Sequence, residues 1–414
     1  MKKVTLITLS LIALPLCTMA QMIPLSSAES KNQLWIDPGR VYDYNLYEKS
    51  RWGIGLQYDI NFKTEKELVT MENPKGFKAL SLSGYIAYGY ADQRFKWGLK
   101  ADLQGVSKKQ SHTYLSFFHD LTPDASRTLT VPTINILTLP ASFMTSSFSD
   151  TYRFTLGYTR KASKSSTENF ELCLSRERPL HYGSTLFYPQ SYSELNNILH
   201  FDFIESQFYI AYTSGWSAQL LAGGMQYNHT MGPKSTPSNF GSKKWTPFAR
   251  LLVQYDRHFY LSFLDLGIFA QAGAVTPKVP TSRMFDLGGS WGSPLLLNHS
   301  LLTARPNEFT ANIFGMINLK LTTVDPLFKF YNRLFDIGTS PQPFLLANAA
   351  WGKGSEAPDQ GIAEAGAGID GLLVWGLVYW GFGMVYRFTP ESAYYHLPDP
   401  KDNYTFLFTA HIDL

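Results

Sequence analysis

Hydrophobic and polar residues alternate along most of this chain with a period of two. From Trp52 to Phe62 the even positions are Trp52, Ile54, Leu56, Tyr58, Ile60 and Phe62, and the odd ones are Gly53, Gly55, Gln57, Asp59 and Asn61. Successive side chains of a strand point to opposite faces, so this stretch reads as a strand with one apolar and one polar side. Residues 95–104 set Phe95, Trp97, Leu99 and Leu103 against Lys96, Gly98, Lys100 and Asp102. Residues 376–388 set Val378, Trp380, Phe382, Met384 and Tyr386 against Gly381, Gly383 and Arg387, and the chain closes with Tyr404, Phe406, Phe408 and Ile412 against Thr405, Thr409 and Asp413. Each run has about the 9–11 residues that a tilted strand needs to cross a bilayer.

Sixteen such segments can be drawn: 52–62, 79–90, 95–106, 111–118, 150–160, 168–180, 198–204, 206–213, 217–228, 246–256, 260–274, 308–321, 343–352, 361–370, 376–388 and 403–414. They predict an all-β fold, a transmembrane antiparallel β-barrel of about sixteen strands, with fourteen as the alternative count. If the first segment rises from the periplasm, connections 63–78, 229–245, 275–307, 353–360 and 389–402 fall outside. The tight connections 91–94, 214–216, 257–259 and 371–375 then fall inside, the segregation that outer-membrane barrels show. Residues 119–149 fit this scheme badly, since they place a long Ser-, Thr- and Pro-containing connection on the periplasmic side.

Composition narrows the choice. Of 414 residues, 17% are charged and 15% aromatic, against about 25% charged in an average soluble domain. That excludes a disordered or nucleic-acid-binding chain. After residue 20 no stretch reaches the roughly 18 apolar residues of a spanning helix. Lys2 and Lys3 precede an apolar run from Val4 to Leu16, and Thr18-Met19-Ala20 supplies small residues for cleavage after Ala20. Residues 1–20 are therefore read as an export signal, residues 21–51 as a short periplasmic segment and residues 52–414 as the barrel. Cleavage removes two of the 36 basic residues, leaving 34 against 33 acidic, a net charge of +1. Cys17 leaves with the signal, so Cys173 is left without a partner for an intramolecular disulfide.

Two stretches interrupt the alternation. In 322–342, Asp325-Pro326 opens a piece with Leu327, Phe328, Tyr331, Leu334 and Phe335 at helical spacing, which predicts a short amphipathic helix at the barrel mouth. The 33-residue connection Val275–Asn307 carries Pro277, Pro280, Gly288, Gly289, Gly292 and Pro294, and its Leu295-Leu296-Leu297 cluster argues against a solvated loop. Loops of this length are usually functional or disordered. We expect this one to fold into the lumen.

The run Gly84-Tyr85-Ile86-Ala87-Tyr88-Gly89-Tyr90, then Asp92, then Arg94-Phe95-Lys96-Trp97-Gly98-Leu99 resembles a hairpin block of a family of exported Gram-negative barrels. That family has no assigned function and usually carries a carboxypeptidase-regulatory-like domain ahead of the barrel. The order of Met284-Phe285-Asp286-Leu287-Gly288-Gly289, a strand from Phe309, Pro326-Leu327-Phe328, Glu364-Ala365-Gly366-Ala367-Gly368 and Gly381-Phe382-Gly383 is similar to the sixteen-strand barrels of the BamA and TamA assembly superfamily. The resemblance covers about residues 52–414. It implies a lumenal loop, with Asp286, Gly288, Gly289 and Trp291 at its tip, and a seam between first and last strands near Trp52–Phe62 and Tyr404–Leu414. Two departures stand out. Gly289 is followed by Ser290-Trp291-Gly292 without the arginine that anchors the superfamily's loop, and residues 21–51 leave no room for an amino-terminal domain.

Chemistry is sparse. The nine His residues are scattered, so no metal site or cofactor is expected. His181-Tyr182-Gly183-Ser184 and His299-Ser300 are the nearest approach to a hydrolase constellation, but nucleophilic catalysis needs an oriented base, which adjacency does not supply. No enzyme is expected. The polar faces carry Lys96, Lys100, Asp102, Arg250, Lys320, Glu364, Asp370 and Arg387, a mixture of signs suited to tying the wall together or holding the inserted loop. The expected protein is a monomeric outer-membrane barrel of the assembly or translocation type. Its partners are outer-membrane lipid and unfolded outer-membrane or secreted polypeptide, and not nucleic acid. A passive porin or small-solute transporter is the alternative, and an outer-membrane lipid hydrolase the second.

Overall fold

The structure, a computed structural model, describes residues 23–25, 31–37, 42–45, 49–63, 76–90, 92–105, 111–123, 147–181, 199–229, 244–277, 279–280, 283–287, 301–303, 310–323, 330–332, 337–354, 360–374, 378–388 and 404–412. Among them there is no α-helix. Almost all belong to one antiparallel sheet of nineteen ladder segments. Asn32–Asp37 and Tyr42–Asn45 lie end to end along the same edge of Lys49–Asn61, with Pro38-Gly39 in the gap between them. They form one interrupted strand, β1. Setting aside the short flanking pieces Ile23–Pro24 and Phe330–Asn332 leaves sixteen strands.

The others are β2 (Lys49–Asn61), β3 (Phe77–Gly89), β4 (Arg94–Gly105), β5 (His112–Pro123), β6 (Ser147–Lys161), β7 (Ser166–His181), β8 (Leu199–Tyr212), β9 (Trp216–His229), β10 (Thr246–Leu261), β11 (Leu264–Val275), β12 (Ile313–Thr323), β13 (Ile337–Lys353), β14 (Gln360–Val374), β15 (Val378–Arg387) and β16 (Tyr404–Ile412). Each pairs with its neighbour in sequence. The sheet is not closed, because among the described residues no ladder joins β16 to β1.

The count of sixteen is reached by a different route from the one expected. Residues 198–204 and 206–213 are one continuous strand, β8, paired without a break to both neighbours. The missing strand is β1, inside the segment expected to precede the barrel. This reverses the sides in the first part of the chain. Connections 46–48, 90–93, 124–146, 182–198, 230–245, 276–312, 354–359 and 388–403 join strand ends at one rim, while 62–76, 106–111, 162–165, 213–215, 262–263, 324–336 and 375–377 join ends at the other. Long connections mark the outer rim. The awkward 119–149 connection belongs there, and 63–78 moves to the inner rim.

The two faces of the sheet differ as a membrane requires. Ile54, Leu56, Ile86, Leu99, Leu115, Leu156, Leu172, Leu220, Leu251 and Leu345 are exposed on one face. Near the outer rim the same face carries exposed Trp52, Tyr88, Phe95, Tyr152, Trp351 and Tyr404, and near the inner rim Phe62, Phe77, Tyr158, Phe170, Tyr212 and Trp216. From Trp52 at the outer girdle to Phe62 at the inner one the strand runs ten residues of about 3.3 Å each, which at a tilt of ~40° is about 25 Å, the height of an apolar band between two aromatic girdles.

The opposite face is the lumen side. In its β8–β14 part it carries a large apolar cluster, with Phe201, Phe203, Leu221, Met225, Phe248, Leu252, Phe269, Phe314, Met316, Ala350 and Ile362 buried together beside a few buried charges. What fills it is the connection between β11 and β12: Val279, Phe285, Leu287 and Leu301 belong to the same cluster. In the β2–β7 part the same face is polar, with Gln57, Asp59, Lys100, Asp102, Asn169 and Glu171 partly exposed or in mutual contact. Large rings there are seated on glycines. A Cβ on Gly157 would lie 2.1 Å from the Tyr114 ring, and one on Gly98 2.4 Å from Tyr85.

The expected helix at 325–335 is not seen where that stretch is described. Phe330–Asn332 is extended and pairs with Ile337–Thr339 at the start of β13, so its backbone is satisfied by a ladder. The remainder of that stretch lies outside the described residues, as do residues 1–22, Gly288, Gly289, Trp291, Ser184, His299 and Ser300.

Candidate functional site: the lumenal loop and the seam

The connection 276–312 is fastened to the wall at two places. The first is Arg283, buried to 8% exposure. Its Nη1 and Nη2 donate to Glu177 on β7 at 3.1 and 2.8 Å, its Nε donates to Glu205 on β8, and the guanidinium lies over the Phe203 ring at 3.9 Å. Burial alone would lower the Arg283 pKa, but the carboxylates of Glu177 and Glu205 outweigh it and raise the pKa, so the group stays charged. Two carboxylates around one planar fork suit arginine and no other side chain.

The second fastening is Glu364 on β14. Its carboxylate accepts the backbone N–H groups of Leu302 (2.7 Å) and Thr303 (2.9 Å), the Thr303 hydroxyl (2.6 Å) and the Asn348 amide of β13 (2.7 Å). Arg387 on β15 donates from Nε to Thr303 Oγ1 (3.1 Å) and from Nη2 to the Thr303 carbonyl (2.7 Å). Between the two, Leu301 N–H bonds the Leu287 carbonyl, and Phe285–Asp286 pairs with Thr310–Ala311. Flat, β7 and β15 would be eight strand spacings, about 38 Å, apart. The Leu301–Leu287 bond joins 283–287 to 301–303 and so makes the path between the two fastenings only a few residues long, and the sheet is curled around it into a barrel.

The polar-face residues expected from sequence sort into three groups. Glu364 and Arg387 meet on Thr303, and the Arg250 guanidinium lies 4.1 Å over the Phe285 ring, so these three hold the loop. Lys320 places its ammonium 5.0 Å over Phe344, and Asp370 is buried and accepts the Gly371 N–H, both within the wall. Lys96 is fully buried between Asp92 (3.0 Å) and Asp150 (3.8 Å), while Lys100 pairs with Asp102 at 3.4 Å, both within the wall. Of the loop-tip residues, Asp286 sits in the two-residue ladder with Thr310. Sequence reasoning sought the loop's arginine after Gly289 and missed Arg283, together with Glu177 and Glu205. The available signal was two glutamates at inward positions of neighbouring strands.

No cluster of His, Cys, Asp or Glu suited to a metal occurs among the described residues. The second notable feature is the seam. It lies beside β1 and not beside Trp52–Phe62, which is the second strand. β1 is short and interrupted, against thirteen residues in β2. Its edge away from β2 holds Ile23–Pro24, paired to Ile36 and Trp35, with Leu25 N–H bonded to the Leu34 carbonyl at 2.7 Å.

No protein-family model and no curated protein matches the sequence. Solved structures with a similar arrangement include CdiB from Escherichia coli (TM-score 0.44, 10% identity, covering 95% of this chain and 66% of that one). CdiB from Acinetobacter baumannii gives 0.43, 9%, 95% and 64%, and BamA from Haemophilus ducreyi lacking POTRA domains 1–3 gives 0.46, 9%, 95% and 73%. The chain spans just under two thirds of both CdiB chains, at identities too low to speak of activity.

Proposed function

We propose that the protein is an outer-membrane β-barrel of the assembly or translocation type, handling polypeptide or lipid through its wall at the seam between β1 and β16. One observation carries this reading: among the described residues no ladder joins β16 to β1, while a loop fastened at both ends stiffens the wall from β7 to β15, up to the strand beside that seam. A passive pore needs no open seam. In this reading the protein is a monomer in contact with outer-membrane lipid, exported with a leader cleaved after Ala20, and has no catalytic role.

The test is to lock the seam. Cysteines introduced along Leu34–Ile36 and Phe406–Phe408, in a Cys173→Ser background, are oxidised in the membrane. Loss of function in envelope assembly on locking, restored by reduction, is expected, and full function of the locked protein would overturn the proposal. The polar wall from β2 to β7 favours the porin as a second reading. A large conductance in planar bilayers, unchanged by deletion of 276–312, would select it.

A further inference from the structure

The edge of β1 that a closed barrel would give to β16 is already occupied by the chain itself. Ile23 pairs with Ile36 and Pro24 with Trp35, and Leu25 donates its N–H to the Leu34 carbonyl. The alternation of this small piece is in phase with the wall. Ile36 and Leu34 pair with Leu56 and Tyr58, which are exposed on the lipid side, so Ile23 and Leu25 extend that apolar face by one strand. A segment lying there by accident has no reason to keep the phase.

We infer that residues Ile23–Leu25 are a built-in wedge: an internal strand that competes with β16 for the Leu34–Ile36 edge and holds the seam open until it is displaced. The competition is balanced by small numbers. Pro24 has no N–H to give, and Ile23 and Leu25 remain 50% and 55% exposed, so the wedge is held by few ladder bonds and little packing. β16, with nine residues, offers more ladder bonds than the wedge but cannot take the Leu34–Ile36 edge while the wedge is there. The seam thus has two arrangements, wedge bound and open or wedge free and closed. This deepens the proposed function by giving the regulation of its seam, but its test does not depend on activity.

Spin labels on Ile36→Cys and Phe406→Cys, in the Cys173→Ser protein reconstituted in bilayers, report the width of the seam. The wedge is weakened with Ile23→Asp and Leu25→Pro, the latter removing the N–H that bonds Leu34. We expect the label separation to shorten by at least one strand spacing, about 5 Å. An unchanged separation in the weakened variant would overturn the wedge. In a parallel unlabelled variant, Ile23→Cys with Ile36→Cys in the Cys173→Ser background is expected to form a disulfide under oxidation; no cross-link would count equally against the wedge. If the separation responds while a locked seam remains fully functional, the wedge stands and the proposed function fails.

Discussion

Arg283 is the residue on which the lumenal loop turns. Replacing it with alanine removes the cation that Glu177 and Glu205 share and leaves Arg153, 3.9 Å from Glu205, as the neighbouring charge; breaking a buried pair in this way costs about 3–5 kcal/mol. Arg283→Ala is expected to make 276–312 cleavable by protease in intact membranes, while heat-modifiable gel mobility still reports a folded barrel. Arg283→Lys is expected to recover little, since one ammonium cannot serve both carboxylates in a plane. The glycines under the tyrosine rings offer a second test. Gly157→Ala drives a methyl into Tyr114, and overpacking of this kind costs about 1–3 kcal/mol. Its urea unfolding midpoint is expected to fall, and a second change, Tyr114→Ala, to recover part of the loss. The Gly-and-aromatic wall could be read in the sequence, and so could the inward placement of Glu364 and Arg387. Arg283 could not, because the partners that identify it lie 106 and 78 residues away.

At the scale of the strand, alternation was a reliable guide wherever the inner face is polar, as in β2 and β4. It misled in β8 for a physical reason. Phe201 and Phe203 face the lumen, where the loop packs on them, while Ile204 and Phe208 face lipid. The apolar phase therefore switches within one strand and imitates a turn. β1 escaped notice for the opposite reason, since its two described pieces, six and four residues long, are too short to show a period. The faces make a direct prediction on neighbouring residues. Leu99 points to lipid near the middle of β4, and Leu99→Arg is expected to lower the folding free energy in bilayers by about 2–4 kcal/mol. Lys100→Ala, on the other face with its amine half in water, is expected to change it by no more than about 0.5 kcal/mol.

For the molecule as a whole, the barrel class, most of the strands, the lipid-facing alternation and a lumenal loop follow from sequence pattern, while the unity of β8, the existence of β1 and the place of the seam do not. That place depends on which edge is left over after every ladder is made, and a strand miscount upstream moves it. Hydrogen exchange in the membrane-embedded protein would show the resulting asymmetry: the strands from β7 to β15 are expected to exchange more slowly than β1 to β5.

The fastening of the loop at both ends makes it a strut as well as a plug. Tied to β7 and β8 through Arg283 and to β14 and β15 through Thr303, it fixes the diameter of that part of the cylinder. Any change of circumference must then be taken up by the remaining strands, so the wall has a stiff arc and a compliant one, and the seam lies where the compliant arc ends.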